Sequence, residues 1–87
     1  MALNVRKNVQ FTKLIKGPMH LKEFNFRKLP GETELFHVDV NDDRGNRIMF
    51  NMKLEDGQWK IADNIVPKWV SDAEQKLHTA IEEELSK

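Results

Sequence analysis

The stretch FHVDVNDDRGNRIMFNMKLEDGQWKI, Phe36 to Ile61, decides the fold of this chain. Its first six residues, Phe36 to Asn41, alternate apolar and polar side chains, the period-two signature of a strand with one buried face. Residues 47–54 alternate again, with Ile48, Phe50, Met52 and Leu54 on one side. Residues opposed across a strand pair share a face, so Val40 pairs with Ile48 and Asp43, Arg44 and Gly45 form the loop. A three-residue hairpin loop needs positive φ at its last position, and Gly45 supplies it. That register sets Val38 against Phe50 and Phe36 against Met52 inside. Outside, it sets Asp39 against Met49 and His37 against Asn51.

Asp56-Gly57 is a two-residue hairpin signal. It pairs Glu55 with Gln58, Leu54 with Trp59 and Met52 with Ile61, which adds Trp59 and Ile61 to the same apolar face. Two turns read independently thus define one face. The mild cost is Lys53 opposite Lys60 on the polar side.

Working outward, residues 19–26 also read as a strand. Their alternation slips between Leu21 and Phe24, which predicts a bulge or bend. Residues 29–32, Leu-Pro-Gly-Glu, read as the turn into the next strand. Residues 5–16 fit either a strand or a short helix ending at Gly17-Pro18; their β-branched and aromatic residues favour the strand. Downstream, Ser71 and Glu74 have capping-box spacing, with Asp72 favourable in the first turn. Ala73, Leu77, Ala80, Ile81 and Leu85 then form an apolar stripe. A helix of about sixteen residues would span about 24 Å, enough to cross a small sheet. Glu82, Glu83 and Glu84 sit at its C-terminal end, where negative charge is unfavourable, and are expected to face a basic surface.

These elements predict an α+β fold: an antiparallel β-meander of four or so strands with one C-terminal α-helix packed on its apolar face. The expected core is Phe24, Phe26, Phe36, Val38, Val40, Ile48, Phe50, Met52, Trp59, Ile61, Leu77 and Ile81. Residues 1–87 read as a single small domain, with disorder over residues 1–8 left open.

Cysteine is absent, which removes disulfide frameworks, thiolate nucleophiles and cysteine zinc sites. No apolar run approaches the ~20 residues of a membrane span, and the N-terminus lacks a signal-peptide core. A cytoplasmic location is the expectation. Charge is zero in total but unevenly placed. Residues 1–30 carry seven of the fourteen bases and one of the fourteen acids, a net of +6. The remainder carries seven bases and thirteen acids, a net of −6. Such a division fits an anionic partner or a domain that neutralises itself on folding.

The candidate contacts for an anion or nucleic acid are Arg6, Lys7, Lys13, Lys16, Lys22, Arg27 and Lys28. Phe11, Phe24 and Phe26 lie among them, an interleaving that can stack single-stranded bases. Phe24 and Phe26 are equally the inner-face residues of a strand, and one side chain cannot serve both roles. Self-neutralisation is the favoured reading, because opposite charges commonly intersperse on small domains.

His37 and Asp39 are the most enzyme-like pair, two apart on one strand and both on the polar face. Acid–base catalysis needs a cleft and a positioned reactant, and an open face offers neither. His20 and His78 are isolated and show no metal-ligand spacing, and His78, off the apolar stripe, reads as a solvated polar side chain. Asp39 to Gly45 resembles the start of a calcium loop, but Arg44 stands at the sixth position and Phe50 at the twelfth, where Gly and Glu are required. The four glycines each mark a turn and form no phosphate loop. Trp69, after Pro67, reads as the anchor of the helix start on the sheet, ahead of an exposed partner contact.

Three segments carry a resemblance: Val38-Asp39-Val40 leading to Asp43-Arg44-Gly45-Asn46, then Gly57-Gln58-Trp59-Lys60-Ile61, then Pro67-Lys68-Trp69. Across residues 9–85 the chain resembles small bacterial α+β proteins to which no activity is assigned, which implies a fold and no chemistry. The Gly-x-Trp-x-Ile segment alone is similar to a strand of cone-shaped nuclear-transport-factor-like domains, which start with helices this chain lacks. The functional expectation is a non-catalytic interaction domain without a cofactor, binding a protein partner or itself through a sheet edge or face. Nucleic-acid binding through residues 6–28 is the alternative, and a ligand or enzymatic site around His37 and Asp39 ranks third.

Overall fold

A computed structural model of the chain describes residues 9–17, 19–28, 34–62 and 65–86. Strands β1 (Val9–Lys16), β2 (Leu21–Lys28), β3 (Leu35–Asn41), β4 (Arg47–Glu55) and β5 (Gln58–Ile61) precede helices α1 (Lys68–Ser71) and α2 (Glu74–Leu85). The strands form one antiparallel sheet in sequence order. Helix α2 touches both edge strands, β1 and β5, so the sheet curls and the helix lies across its apolar side. The α+β class holds, with five strands where four or so were predicted. The additional one is Val9–Lys16, the segment whose composition favoured a strand over a helix.

The meander follows the predicted register. Val40 faces Ile48, Val38 faces Phe50 and Phe36 faces Met52. Leu54 faces Trp59, Met52 faces Ile61, and Lys53 stands opposite Lys60. Gly45 at φ 84° closes the first hairpin, where the Asp42 amide donates to the Asn46 carbonyl at 2.9 Å. Asp56 and Gly57, at φ 52° and 80°, give the second turn the two positive dihedrals that match strand twist.

Three local expectations are corrected. Strand β2 has no bulge against β1: the two pair residue for residue from Val9 with Lys28 to Lys16 with Leu21. Leu21 simply points outward, 62% exposed, and Lys22 takes the inner side. The capping box does not form. Ser71 ends the separate turn α1 and its hydroxyl donates to the Lys68 carbonyl at 3.0 Å, while α2 starts after Ala73 without a side-chain cap. The third correction concerns His78, which is drawn into the structure as described below. The turn predicted over residues 29–32 lies outside the described residues, as do residues 1–8.

The core forms between sheet and helix. Phe24, Phe26, Phe36, Val38, Val40, Phe50, Met52, Trp59, Leu77 and Ile81 are buried as predicted, and Ile48 and Ile61 pack against them half-buried. Ile15, Val70, Ala73 and Ala80 join this core. Phe11 stacks on Phe26 with ring centres 4.5 Å apart, and Phe36 meets Trp59 edge-on at 5.1 Å. Trp69 packs edge-on against Phe24 at 6.3 Å, which ties the start of α1 to β2.

Candidate functional site

The edge strands of an antiparallel sheet present a row of backbone groups without ladder partners. Opposed residues alternate between pairs that exchange hydrogen bonds and pairs that do not, so each strand aims alternate amides to either side. The phase here follows from observed bonds. The Gly17 amide donates to the His20 carbonyl at 2.8 Å. Counting in steps of two, Ile15, Lys13, Phe11 and Val9 bond to β2, and Lys16, Leu14, Thr12 and Gln10 aim their amides away from the sheet. The same phase carries across the sheet: the Leu54 amide reaches the Glu34 carbonyl at 3.2 Å, and the Ala62 amide reaches the Asn51 carbonyl at 2.8 Å. It leaves the amides of Trp59 and Ile61 pointing off the far edge.

Those two amides are occupied. Trp59 N–H donates to His78 Nδ1 at 3.0 Å, and Ile61 N–H donates to Glu74 Oε2 at 2.8 Å. The match is geometric. Alternate residues of a strand stand about 6.7 Å apart, and residues one helical turn apart rise about 5.4–6 Å. Glu74 and His78 therefore reach alternate strand amides from one flank of α2. His78, predicted to be a solvated polar residue, is a half-buried acceptor that closes β5. The signal in the sequence was two acceptor side chains at i and i+4 beside the apolar stripe. By contrast, no backbone hydrogen bond among the described residues reaches the outer edge of β1.

The polar face of the sheet carries the other candidate residues. Thr12 Oγ1 donates to Asn25 Oδ1 at 2.8 Å, and Asn25 Nδ2 donates to Asp39 Oδ1 at 2.8 Å. Arg47 donates from Nε at 3.0 Å and from Nη2 to the second Asp39 oxygen. His37 Nδ1 and Asn51 Oδ1 are 2.6 Å apart. These rows, with Gln10, Arg27 and the 69%-exposed Met49, line an open depression of about 940 Å³. His37 and Asp39 thus share a face, as predicted, but each is engaged by an amide or guanidinium neighbour.

The basic residues scatter. Lys13 and Lys22 lie on the helix-facing side: Lys13 Nζ stands 3.5 Å from Glu83, and Lys22 bonds Asp43 and sits 5.7 Å from the Trp69 ring centre. The Lys22 ammonium holds the Asp43 carboxyl below the usual carboxylate range. Lys28 is half-buried, Lys16 is exposed beside the β1–β2 turn, and Arg27 is exposed on the polar face. Arg6 and Lys7 lie outside the described residues. Phe11, Phe24 and Phe26 all turn into the core, away from any base they would stack.

Among the described residues, no three His, Cys, Asp or Glu side chains converge as a metal site would require, and no helix is long and apolar enough to cross a membrane. Compared with protein-family models, with curated proteins and with solved structures, the chain matches none.

Proposed function

We propose that this chain is a non-catalytic interaction domain that takes up an extended protein segment at the edge of β1. The observation that carries the reading is the asymmetry of the two edges. Both outward amides of β5 are held by α2, whereas those of Gln10, Thr12, Leu14 and Lys16 point away from β2 and meet no acceptor among the described residues. An eight-residue edge strand without an internal proline is a ready template for another strand. Main-chain bonds supply affinity in this mode, and the exposed Leu14 beside the strand adds apolar contact. The test is selection of extended heptapeptides from a display library, followed by NMR titration of the enriched peptides. Shifts should concentrate on the amides of Gln10, Thr12 and Leu14. Enrichment of nothing, or shifts confined to other strands, would count against the reading.

A second reading rests on the depression around His37 and Asp39, whose side chains are pre-oriented by their neighbours. It expects a small polar ligand on that face, with contact at Arg27 and His37 and no effect at the β1 edge. A fragment screen read by the same NMR signals separates the two. Nucleic-acid binding has less support, because the phenylalanines that would stack bases turn into the core and Lys13 and Lys22 already face acids.

A further inference from the structure

We propose that the occupant of the β1 edge is the β1 strand of a second copy, paired antiparallel about Thr12. The inference rests on the strand-binding reading above and names its partner. Closure is the first argument. Because Glu74 and His78 hold the β5 edge, a second copy cannot add there, and stacking of β1 on β5 into an open filament is blocked. Self-pairing must therefore join like edges, which gives a closed two-fold dimer.

Register is the second argument. A two-fold axis normal to the sheet keeps inner residues opposite inner ones. Centring on Thr12 overlaps residues 9–15, and centring on Lys13 overlaps residues 10–16. The Lys13 centre sets that lysine against its own copy across the closest kind of strand pair, which is unfavourable. The Thr12 centre sets Thr12 against Thr12 of the second copy, Lys13 against its Phe11, Val9 against its Ile15 and Gln10 against its Leu14. No like charges are then opposed, and Val9 and Phe11, half-buried in one copy, gain cover. The outward amides and carbonyls of Gln10, Thr12 and Leu14 are the groups that exchange bonds. Lys13 keeps its own Glu83 alongside, which limits repulsion across the seam.

The experiment uses the full chain. Sedimentation velocity over a concentration series should show monomer passing to dimer. Thr12→Pro removes an amide that has no partner among the described residues, so it should abolish the dimer while keeping the far-UV circular dichroism. Gln10→Pro, nearer the strand end, serves the same purpose if Thr12→Pro does not fold. The chain has no cysteine, so register can be read by oxidation of single-cysteine variants. Opposed residues of a hydrogen-bonded pair lie about 5.5 Å apart, within disulfide reach. Thr12→Cys should form a linked dimer and Lys13→Cys should not. Linking by Lys13→Cys alone would overturn the register, and a dimer surviving both proline variants would overturn the edge. A wild type that stays monomeric while selected peptides shift the β1 amides would overturn the second copy and leave the strand-binding reading standing. Monomer with no peptide binding would overturn both.

Discussion

His78 and Glu74 act on groups that no local pattern connects to them. Each accepts a hydrogen bond from an amide of β5, and truncating either leaves that amide without its acceptor. His78→Ala and Glu74→Ala should each cost about 1–3 kcal/mol in chemical denaturation, the usual penalty for orphaning a partly buried donor. A loss below about 0.5 kcal/mol would mean that water replaces the side chain without cost. Asp42 offers a pH test. Its carboxyl is held below the usual aspartate range, chiefly by the Asn46 amide, with the Arg44 amide, the Asn46 side chain and the Arg44 charge adding and partial desolvation opposing. Folding thus depresses this pKa, so its contribution is present above the ordinary aspartate value and lost as pH falls through the folded one. NMR should show the Arg44 and Asn46 amides, which donate to Asp42 at 2.9 and 2.8 Å, moving together in acid. Amides that stay fixed as Asp42 protonates would contradict the link. The indole N–H of Trp59 is buried and finds no partner among the described residues. Trp59→Phe should therefore cost less than the about 3–5 kcal/mol of a large aromatic truncation, because it also removes an unsatisfied donor.

At the scale of elements, legibility followed locality. Strands β3 to β5 were readable because Gly45 and Asp56-Gly57 fix loop lengths and the alternation then fixes register. Leu21 misled because an apolar residue does not have to be buried; the strand continues regularly with Leu21 facing solvent. Ser71 and Glu74 had the right spacing for a capping box, but tertiary partners competed successfully. Glu74 went to the Ile61 amide, and Ser71 bonded back within its own turn. The edge closure was illegible for the same reason, since His78 meets a residue nineteen positions away. The apolar stripe of α2 was legible, and Leu77, fully buried at its centre, tests how much the helix holds. Leu77→Ala should lose about 2–5 kcal/mol, read as a lower midpoint in urea. A paired substitution in β1 checks the strand phase: Lys13→Pro deletes a bond to β2 and should destabilise the fold, while Thr12→Pro removes no ladder bond and should cost the monomer less, mainly its side-chain bond to Asn25. Equal destabilisation by the two would refute the assigned alternation.

For the whole molecule, the division of charge resolves into structure. Lys13 meets Glu83 and Lys22 meets Asp43, so part of the basic third is answered by acids from the later chain. Of the three glutamates expected to face a basic surface, Glu83 meets a base, Lys13 on β1, at 3.5 Å. The Lys13–Glu83 pair is exposed enough to contribute little to stability, and its consequence is to quiet the inner side of the β1 edge. Helix α2 thus touches both ends of the sheet with different effects. It closes β5 with two side-chain acceptors, while among the described residues nothing bonds the outward amides of β1.

Residue-resolved hydrogen exchange in dilute protein probes that difference between the edges. Trp59 and Ile61 should be protected like interior ladder amides. Along β1 protection should alternate, with Phe11, Lys13 and Ile15 slow and Gln10, Thr12 and Leu14 fast. Fast exchange at Trp59 and Ile61, or uniform protection along β1 under conditions where the protein is monomeric, would contradict that difference.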